Sequence, residues 1–379
     1  MPRLRPATAA AQALGWADET TKAITPAIHP TTTFVRDADN AYRAGFSYAR
    51  AGNPTYVQPE ALLSELEGGE ASLVFASGMA AATAVFLALR PGDHIVAPQV
   101  MYWALRAWLR NSAAELGFGV EFVDMTDLDA LGAAIRPGKT KLVWIETPAN
   151  PTWAITDIAG AAEHAHRAGA RLAVDSTIAT PVLTRPIELG ADIVMHSATK
   201  YLNGHSDVVA GALVAARHDE LWDRIAAIRA SNGAILGWLE AWLLLRGMRT
   251  LHLRVERCCR SAQAIAERFA TDPRVTAVLY PGLRTDPGYA VASRQMQGGF
   301  GGMLSVCVAG DAEAAIAAAA RVRVWKRATS LGGVESLIEH RASVEGPGSP
   351  APPALLRLSV GIEAVEDLIE DLDQALGAG

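Results

Sequence analysis

The 379-residue sequence has few cysteines and no run of positive charge, and both absences exclude classes of protein. Its three cysteines are Cys258, Cys259 and Cys307, and there is no Cys-x-x-Cys pair. Because two of them are adjacent, a poor geometry for an ordinary disulfide, we expect reduced thiols rather than a disulfide framework. The formal net charge is −6 and no lysine- or arginine-rich block stands out, which argues against nucleic acid as a partner.

Long hydrophobic runs are also missing. Residues 1–16 lack a continuous apolar core of the length found in signal peptides. No segment reaches the roughly 18 apolar residues that a membrane span needs. The longest run, residues 235–245, contains Glu240 and is followed by Arg246, so it predicts a buried helix. We therefore expect a cytoplasmic protein that does not enter a membrane.

Common cofactor and catalytic motifs are absent as well. The sequence contains no G-x-G-x-x-G, no G-x-x-x-x-G-K-[ST], no H-E-x-x-H and no G-x-S-x-G. These absences argue against a dinucleotide fold, a P-loop, a zinc protease and a serine hydrolase of the common type. No metal site is predicted.

The sequence does show a regular alternation of strands and helices between residues 71 and 215. Short, wholly apolar runs are separated by helical segments of about a dozen residues, the pattern of β-α-β units and a mostly parallel sheet. A long helix over about 235–270 and a mixed pattern after it predict a smaller α+β domain. The predicted organisation is an extended arm (1–47), a larger α/β domain (48–232) and the α+β domain (233–379).

Ligands of parallel sheets bind beyond the carboxyl ends of the strands, and three strand ends carry reactive side chains. The run "FASGMAA" (75–81) turns through Gly78 into a helix, whose free amides can bind an anion; an ordinary turn is the alternative. The run "LAVDST" ends a buried strand with Asp175, whose carboxylate needs a partner, and a helix cap or an ion pair would also provide one.

The third strand end is "VMHSATK", with Ser197, Thr199 and Lys200. A lysine beside low-dielectric walls has a lowered pKa and becomes the nucleophilic amine that a Schiff base with a carbonyl requires. A surface lysine with a buried stem is the alternative. Taken together, the three strand ends offer a phosphate site, a carboxylate for a pyridinium nitrogen and an amine for an aldehyde. Those are the requirements of pyridoxal 5′-phosphate.

With these residues in place, the sequence resembles the pyridoxal-phosphate enzymes of cysteine and methionine metabolism, such as cystathionine γ-synthase, cystathionine γ-lyase and methionine γ-lyase. The resemblance covers nearly the whole chain, in order. Its blocks are "YARAGNPT" (48–55), "FASGMAA" (75–81), "ETPANPT" (146–152), "DSTIATP" (175–181), "HSATKYLNGHSD" (196–207), "YPGL" (280–283), "GFGGMLS" (299–305), "SLGGVESLIEH" (330–340) and "RLSVGIE" (357–363).

The resemblance implies a fold-type I, aspartate aminotransferase-like architecture and a homotetramer of two tight dimers, with the arm contributing oligomer contacts. It implies that Lys200 bonds to the cofactor's aldehyde and moves protons, and that Asp175 holds the pyridinium proton. Further roles follow from the matched blocks: Gly78, Met79, Ser197 and Thr199 on the phosphate, Tyr102 stacked on the ring and acting as acid or base, Tyr48 and Arg50 reaching the phosphate from the neighbouring subunit, Arg357 on the substrate α-carboxylate, and Asn150, Ser330 and Thr329 in the substrate site.

The activity that the resemblance implies is γ-elimination or γ-replacement on a sulfur-containing or other γ-substituted amino acid. A β-lyase acting on cystathionine or cysteine conjugates remains the alternative. A catalytically silent relative is disfavoured, because it would be expected to lack Lys200 or Asp175. His205 has no evident chemical role, and we expect a local hydrogen bond there.

Three segments depart from the family pattern. Trp103, Ala104 and Leu105 stand where relatives usually have small residues and a threonine, and Thr329 stands where members that handle cystathionine usually carry a glutamate. After His340 the run is "RASVEG" (341–346) rather than the common Pro-Ala-Ser-Met-Thr-His. These departures leave cystathionine open as a substrate, and a different thioether or γ-substituted amino acid is an alternative.

Overall fold

The computed structural model describes residues 4–346 and 349–377. The first three residues of the predicted arm and the last two of the predicted C-terminal domain lie outside this range. The α-helices are α1 Pro6–Ala11, α2 Pro54–Glu67, α3 Gly78–Leu87, α4 Trp103–Glu115, α5 Leu128–Ala134, α6 Ile158–Arg167, α7 Thr180–Leu183, α8 Glu220–Asn232, α9 Trp238–Met248, α10 Leu251–Phe269, α11 Tyr289–Gln295, α12 Ala312–Arg321, α13 Arg341–Glu345 and α14 Val365–Gly377. The strands are β1 Ala71–Phe75, β2 His94–Pro98, β3 Gly119–Val123, β4 Thr140–Glu146, β5 Arg171–Asp175, β6 Ile193–His196, β7 Gly211–Ala215, β8 Val275–Leu279, β9 Met303–Val308, β10 Lys326–Arg327, β11 Leu337–His340 and β12 Leu355–Ser359.

The first seven strands form one mixed sheet in the order β1-β7-β6-β5-β4-β2-β3. All neighbours pair in parallel except β7, which runs antiparallel to both β1 and β6. Because successive side chains of a strand point to opposite faces of the sheet, each strand contributes to two hydrophobic cores, one on each face. Val143 and Val174 pack on one face with α2, α6 and α9, whereas Leu142 and Ala173 pack on the other with α3, α4 and α8. Burial on both faces explains why the middle of β4 (142–145) and of β5 (172–174) is apolar.

The second sheet, β10-β11-β12-β9-β8, is antiparallel except for the short β10–β11 pair. One face packs against α10, α12 and α14, and Leu356 and Leu358 of β12 lie in that core. Strand alternation therefore turns Arg357 to the opposite face. On that face, Ser305 of β9 accepts a hydrogen bond of 2.9 Å from the indole N–H of Trp153, which belongs to the segment after β4.

The single long helix predicted over about 235–270 is wrong: the segment forms two helices, α9 and α10, separated at residues 249–250. The break brings the buried Arg254 back onto the preceding turn, where Nη2 donates to the carbonyl of Gly247 (2.7 Å). Its Nη1 donates to the carbonyl of Tyr201 (2.7 Å), the residue that follows Lys200. The break thus lets a buried guanidinium brace the loop after β6.

Helix α2 has a well-defined start at Pro54. Asn53 caps the helix by accepting a hydrogen bond of 2.9 Å from the amide of Thr55, and Pro54 occupies the first helical position, where its missing N–H costs nothing. Gly68 ends the helix in the left-handed conformation, which glycine adopts without strain.

The carboxyl ends of β1, β4, β5 and β6 lie along one edge of the first sheet, because these strands point in the same direction. The turns that follow them are therefore neighbours in space. Among the described helices, none combines the length and apolar character needed to cross a bilayer.

Candidate active site

A cavity of about 230 Å³ opens at this edge of the first sheet. The structure brings together most of the residues predicted for the cofactor and substrate at this one place. Those that line the cavity are Gly78, Met79, Tyr102, Asn150, Asp175, Ser197, Thr199 and Lys200. Two further predicted residues, Ser330 and Arg357, join them through hydrogen bonds to Lys200 and Asn150.

Lys200 lies at the start of the loop that follows β6. Its Nζ donates a hydrogen bond of 2.8 Å to Oγ of Ser330. Burial, and then the nearby positive charge of Arg357, lower the pKa of Lys200 to about 8, while Glu339 opposes the shift. An amine with this pKa is partly neutral near pH 8, as a nucleophile or a proton acceptor must be.

Asp175 ends β5, and its Oδ1 accepts hydrogen bonds from the amide (3.0 Å) and the hydroxyl (2.5 Å) of Thr177. No described residue donates to Oδ2, which leaves that oxygen available to a ligand in the cavity. Burial raises the pKa of this carboxyl group, whereas the hydrogen bonds from Thr177 and the nearby His196 lower it. A cation placed against Oδ2, such as a protonated ring nitrogen, would favour the ionised form.

The first turn of α3 provides the predicted anion site. Ser77 caps the helix by accepting a hydrogen bond of 3.1 Å from the amide of Ala80, so the amides of Gly78 and Met79 have no acceptor within the helix. A Cβ at Gly78 would lie 2.8 Å from Oγ of Ser197, which shows that the turn passes too close to the loop after β6 for a side chain. Glycine at this position lets backbone amides and a hydroxyl converge.

Ser197 and Thr199 differ in how free their hydroxyl groups are. The hydroxyl of Thr199 donates to the carbonyl of Ala210 (3.0 Å) and accepts from the amide of the same residue (2.9 Å). The hydroxyl of Ser197 has no partner among the described residues. Ser197 therefore matches the phosphate prediction more directly than Thr199, whose hydroxyl also closes the loop between β6 and β7.

Glu146 is a site residue that the sequence analysis missed. It ends β4 inside the cavity, and its two carboxylate oxygens accept from the amides of Tyr102 (2.7 Å) and Asn150 (2.9 Å). Burial, and then the charge of Asp175, raise the pKa of this carboxyl group. A carboxylate at the end of an apolar strand was the signal used for Asp175, and the same signal could have identified Glu146.

Arg357 lies on β12, facing the first sheet, and is only 4% exposed. Its Nη1 donates to Oδ1 of Asn150 (3.3 Å) and its Nη2 to the carbonyl of Ser330 (2.8 Å). Burial lowers the pKa of Arg357 to about 10, although Glu339 opposes the shift. Ser330 adopts φ +90°, a strained value for a residue with a side chain, and in that conformation it contacts both Lys200 and Arg357.

Tyr48, Arg50, Thr329 and His205 are also absent from the lining of the cavity. Tyr48 and Arg50 lie on the surface, where the guanidinium stacks 5.7 Å from the phenol ring and donates to the carbonyl of Ala230 (3.0 Å). Thr329 is exposed. Nδ1 of His205 lies 2.7 Å from the carbonyl oxygen of Asn203, a local contact of the expected kind.

A wider depression of about 390 Å³ lies elsewhere, around Arg171, Asp192 and Asp219. Arg171 forms ion pairs with both carboxylates. The reactive amine and the unpaired carboxylate oxygen are both in the smaller cavity, which we take as the active site.

Comparison with known proteins identifies close relatives. The family model described as "Cys/Met metabolism PLP-dependent enzyme" matches residues 7–377. The chain is 46% identical to cystathionine γ-synthase of Mycobacterium tuberculosis, covering 98% of this chain and 97% of that protein. It is 41% identical to L-methionine γ-lyase of Pseudomonas putida, and the match covers 94% of this chain and 93% of that protein.

A solved structure agrees with these relatives. The crystal structure of cystathionine γ-synthase from Xanthomonas oryzae pv. oryzae, in complex with aminoacrylate and cysteine, superposes with a TM-score of 0.94. The sequences are 39% identical, and the match covers 99% of this chain and 98% of that chain. The predicted fold-type I architecture is confirmed by this likeness.

Proposed function

Because the chain belongs to the Cys/Met metabolism PLP-dependent enzyme family, we propose that it breaks and forms carbon–sulfur bonds by γ-elimination or γ-replacement on an amino acid substituted at Cγ. The relatives named above include a γ-synthase and a γ-lyase, which supports chemistry at Cγ without choosing between the two outcomes. One observation carries the proposal within the molecule. Ser330 contacts both Lys200 and Arg357, so the proton-moving amine lies beside the cation that would hold the substrate carboxylate.

The arrangement fits pyridoxal phosphate. When bound, that cofactor withdraws electrons from the substrate, so that the protons on Cα and then Cβ become acidic. The free oxygen Oδ2 of Asp175 is suited to the protonated ring nitrogen. The amides of Gly78 and Met79, together with the hydroxyl of Ser197, are suited to the phosphate, and Thr199 supports the loop beside them.

Tyr102 borders the same cavity and is the residue we assign to the face of the ring. Its amide is fixed by Glu146, which determines where the phenol can lie. Burial raises the pKa of the phenol, so the group is protonated at neutral pH and can donate a proton to a departing group.

Lys200 moves the protons in this proposal. With a pKa near 8 its neutral amine can accept the Cα proton, and the hydrogen bond to Ser330 keeps it on one side of the cavity. γ-Chemistry requires a second proton, from Cβ, to be removed and later returned. A lysine on a flexible stem can reach both carbons.

Arg357 binds the substrate α-carboxylate in this proposal, with Asn150 beside it. A buried guanidinium gains from a carboxylate partner because it presents two parallel N–H donors and has lost its water. Thr329 lies next to Ser330 in sequence but is exposed, so it would meet only the distal end of a long substrate. The sequence over residues 326–330 contains no acidic residue that could pair with a distal ammonium.

We further propose a homotetramer in which Tyr48 and Arg50 complete the active site of the neighbouring subunit. Both side chains lie on the surface and outside the cavity of their own subunit. Large apolar side chains of the preceding arm are also exposed, with Ile24 at 76% and Val35 at 97%, as expected of a segment that packs on another copy. The cytoplasmic location and the domain limits of the sequence analysis stay predictions.

A substrate panel tests the function. Purified holoenzyme is supplied with an O-acylated homoserine, with and without cysteine, and with methionine, homocysteine, cysteine or cystathionine. Thioether and 2-oxo acid are measured separately, and Lys200→Ala serves as the inactive control. Thioether made only with cysteine indicates γ-replacement, and 2-oxobutyrate indicates γ-elimination. Pyruvate as the sole 2-oxo acid, without any thioether, would refute the proposal and favour the β-lyase alternative.

A further inference from the structure

A chain of buried ion pairs runs from the substrate site through the second domain to α4 of the first. Its members alternate in sign: Arg357, Glu339, Arg341, Glu345 and Arg106. The N···O distances along it are 2.6, 2.8, 2.9 and 4.0 Å. Four of these side chains are at most 8% exposed and the fifth is 10% exposed, so their attraction is little screened by water.

Glu339 is shared between two cations. It lies opposite Arg357 on the neighbouring strand, so the two side chains emerge on the same face of the sheet. The same carboxylate oxygen, Oε2, lies 2.6 Å from Nη2 of Arg357 and 2.8 Å from Nη1 of Arg341. Each guanidinium therefore draws Glu339 away from the other.

Glu345 holds Arg341 from the other side. Its Oε1 accepts from Nε (3.3 Å) and Nη2 (2.9 Å) of Arg341, and its Oε2 accepts from the hydroxyl of Ser349 (2.7 Å). No contact joins Glu345 directly to Arg357 among the described residues. Glu345 therefore acts on Arg357 through Arg341 and Glu339, and in addition through space, where its charge raises the pKa of Arg357 less than that of Glu339 does.

The chain holds three guanidinium groups and two carboxylates. Buried charges without partners are costly, so a surplus cation in such a place favours an incoming anion. Arg357 is the member that borders the cavity, through Asn150 and Ser330. The surplus therefore faces the space where a substrate carboxylate would arrive.

We propose that Arg341 is a positioning residue for substrate binding: by competing for Glu339, it leaves Arg357 incompletely neutralised and able to take the substrate α-carboxylate. The inference rests on the proposed function, because it takes Arg357 as the carboxylate-binding group. It adds a residue that never touches the substrate but sets how strongly the carboxylate is held.

Three variants give different expected results. Arg341→Met leaves Glu339 entirely to Arg357 and weakens carboxylate binding by roughly tenfold. Glu345→Gln leaves Arg341 with Glu339 as its main partner, which frees Arg357 and strengthens carboxylate binding by about threefold. In the double variant, Glu345→Gln has a smaller effect than it has in the wild type, because the residue through which it acts on Glu339 is gone and only its through-space charge remains. A purely structural role predicts instead that both single variants weaken binding.

The measurement is a titration of each holoenzyme with glycine and with glycinamide, followed by the change in the absorption of the bound cofactor. Glycinamide lacks the carboxylate, so the ratio of the two dissociation constants isolates the carboxylate contribution. Comparing that ratio between variants cancels the difference between the two amines. Arg341→Lys keeps a cation at this position and should retain most of the wild-type ratio.

A matched control is Arg274→Met. Arg274 also lies between two carboxylates, Asp272 and Asp373, but it lines no part of the active-site cavity. The ratio of the dissociation constants for glycine and glycinamide should be the same in Arg274→Met as in the wild type. Melting temperature and the absorption of the cofactor without ligand check folding. Should Arg341→Met fail to fold, the opposite-sign effect of Glu345→Gln and the retention by Arg341→Lys still decide the question.

The titration separates the two proposals through Arg357→Lys. Suppose that Arg357→Lys no longer binds glycine more tightly than glycinamide, while the ratio of the two dissociation constants is unchanged in Arg341→Met and Glu345→Gln. That result overturns only the role of Arg341. An unchanged preference in Arg357→Lys shows that Arg357 does not bind the carboxylate, and then both proposals fall.

Discussion

The lowered pKa of the buried Lys200 amine leads to a prediction about protein stability that does not depend on catalysis. Burial lowers the pKa of Lys200 from its ordinary value of 10.5 to about 8 in the folded protein. At pH 7 the folded protein must therefore hold a buried ammonium that the unfolded chain keeps in water. A shift of this size corresponds to about 3 kcal/mol of destabilisation below pH 8. Replacing the amine by an apolar group should recover most of it.

The sign follows from proton counting. Between pH 8 and 10.5 the unfolded chain binds more protons at Lys200 than the folded protein does, so this group makes the protein more stable as the pH rises. Lys200→Met should accordingly stabilise the cofactor-free protein by about 3 kcal/mol at pH 7 and by less than about 1 kcal/mol at pH 10. Loss of the hydrogen bond to Ser330 subtracts about 1 kcal/mol at both pH values.

The assay is denaturant unfolding of the cofactor-free wild type and Lys200→Met at pH 7 and pH 10, at one fixed protein concentration because assembly adds to apparent stability. Subtracting the stability difference between variant and wild type at pH 10 from that at pH 7 removes the constant contributions of methionine packing and of the lost hydrogen bond. A stability difference between variant and wild type that is the same at both pH values would refute a lowered pKa, and with it the account of Lys200 as a partly neutral amine.

Three further predictions concern the rest of the site. Glu146→Gln turns an N–H group toward one of the two backbone amides that donate to the carboxylate. This change should lower the melting temperature by several degrees and, by releasing Tyr102, reduce kcat/KM about tenfold. An unchanged kcat/KM would contradict this role. Asp175→Asn should keep the bound cofactor visible by absorption yet lower kcat by a factor of about 100 or more, because an amide cannot stabilise a ring cation. Mixing inactive Arg50→Ala subunits with inactive Lys200→Ala subunits should restore part of the activity if Arg50 completes the neighbouring site, and no recovery in confirmed mixed oligomers would show that each subunit builds its own site.

Much of the site could be predicted because its residues follow strands. Gly78, Asp175 and Lys200 each come directly after a wholly apolar run, and parallel strands bring their carboxyl ends to one edge. Local sequence thus placed three distant residues together without any knowledge of side-chain contacts. The same logic applied to β4 would have added Glu146, whose carboxylate ends the strand as Asp175 ends β5.

The wrong prediction of a single helix over 235–270 has its cause in tertiary contacts, which sequence patterns do not show. Most of the segment over 235–270 is good helix-forming sequence, and near the break at residues 249–250 only Gly247 and Thr250 depart from it. The break is accompanied by tertiary contacts: Gly247 packs against the backbone of Asn203, where a Cβ would lie 2.2 Å from the carbonyl oxygen, and Arg254 binds the carbonyl of Tyr201. Intrinsic helix propensity is a weak guide where such contacts compete with it.

The sequence by itself determined the cofactor and the reacting groups, because amine, carboxylate and anion-binding turn each occupy a strand end that the hydrophobic pattern identifies. Only the tertiary structure decided how the charges are shared. Glu339 meets Arg357 because β11 and β12 pair in that register, and it meets Arg341 because α13 begins directly after β11. The strength of an ion pair depends on distance and burial in three dimensions, neither of which the order of residues records.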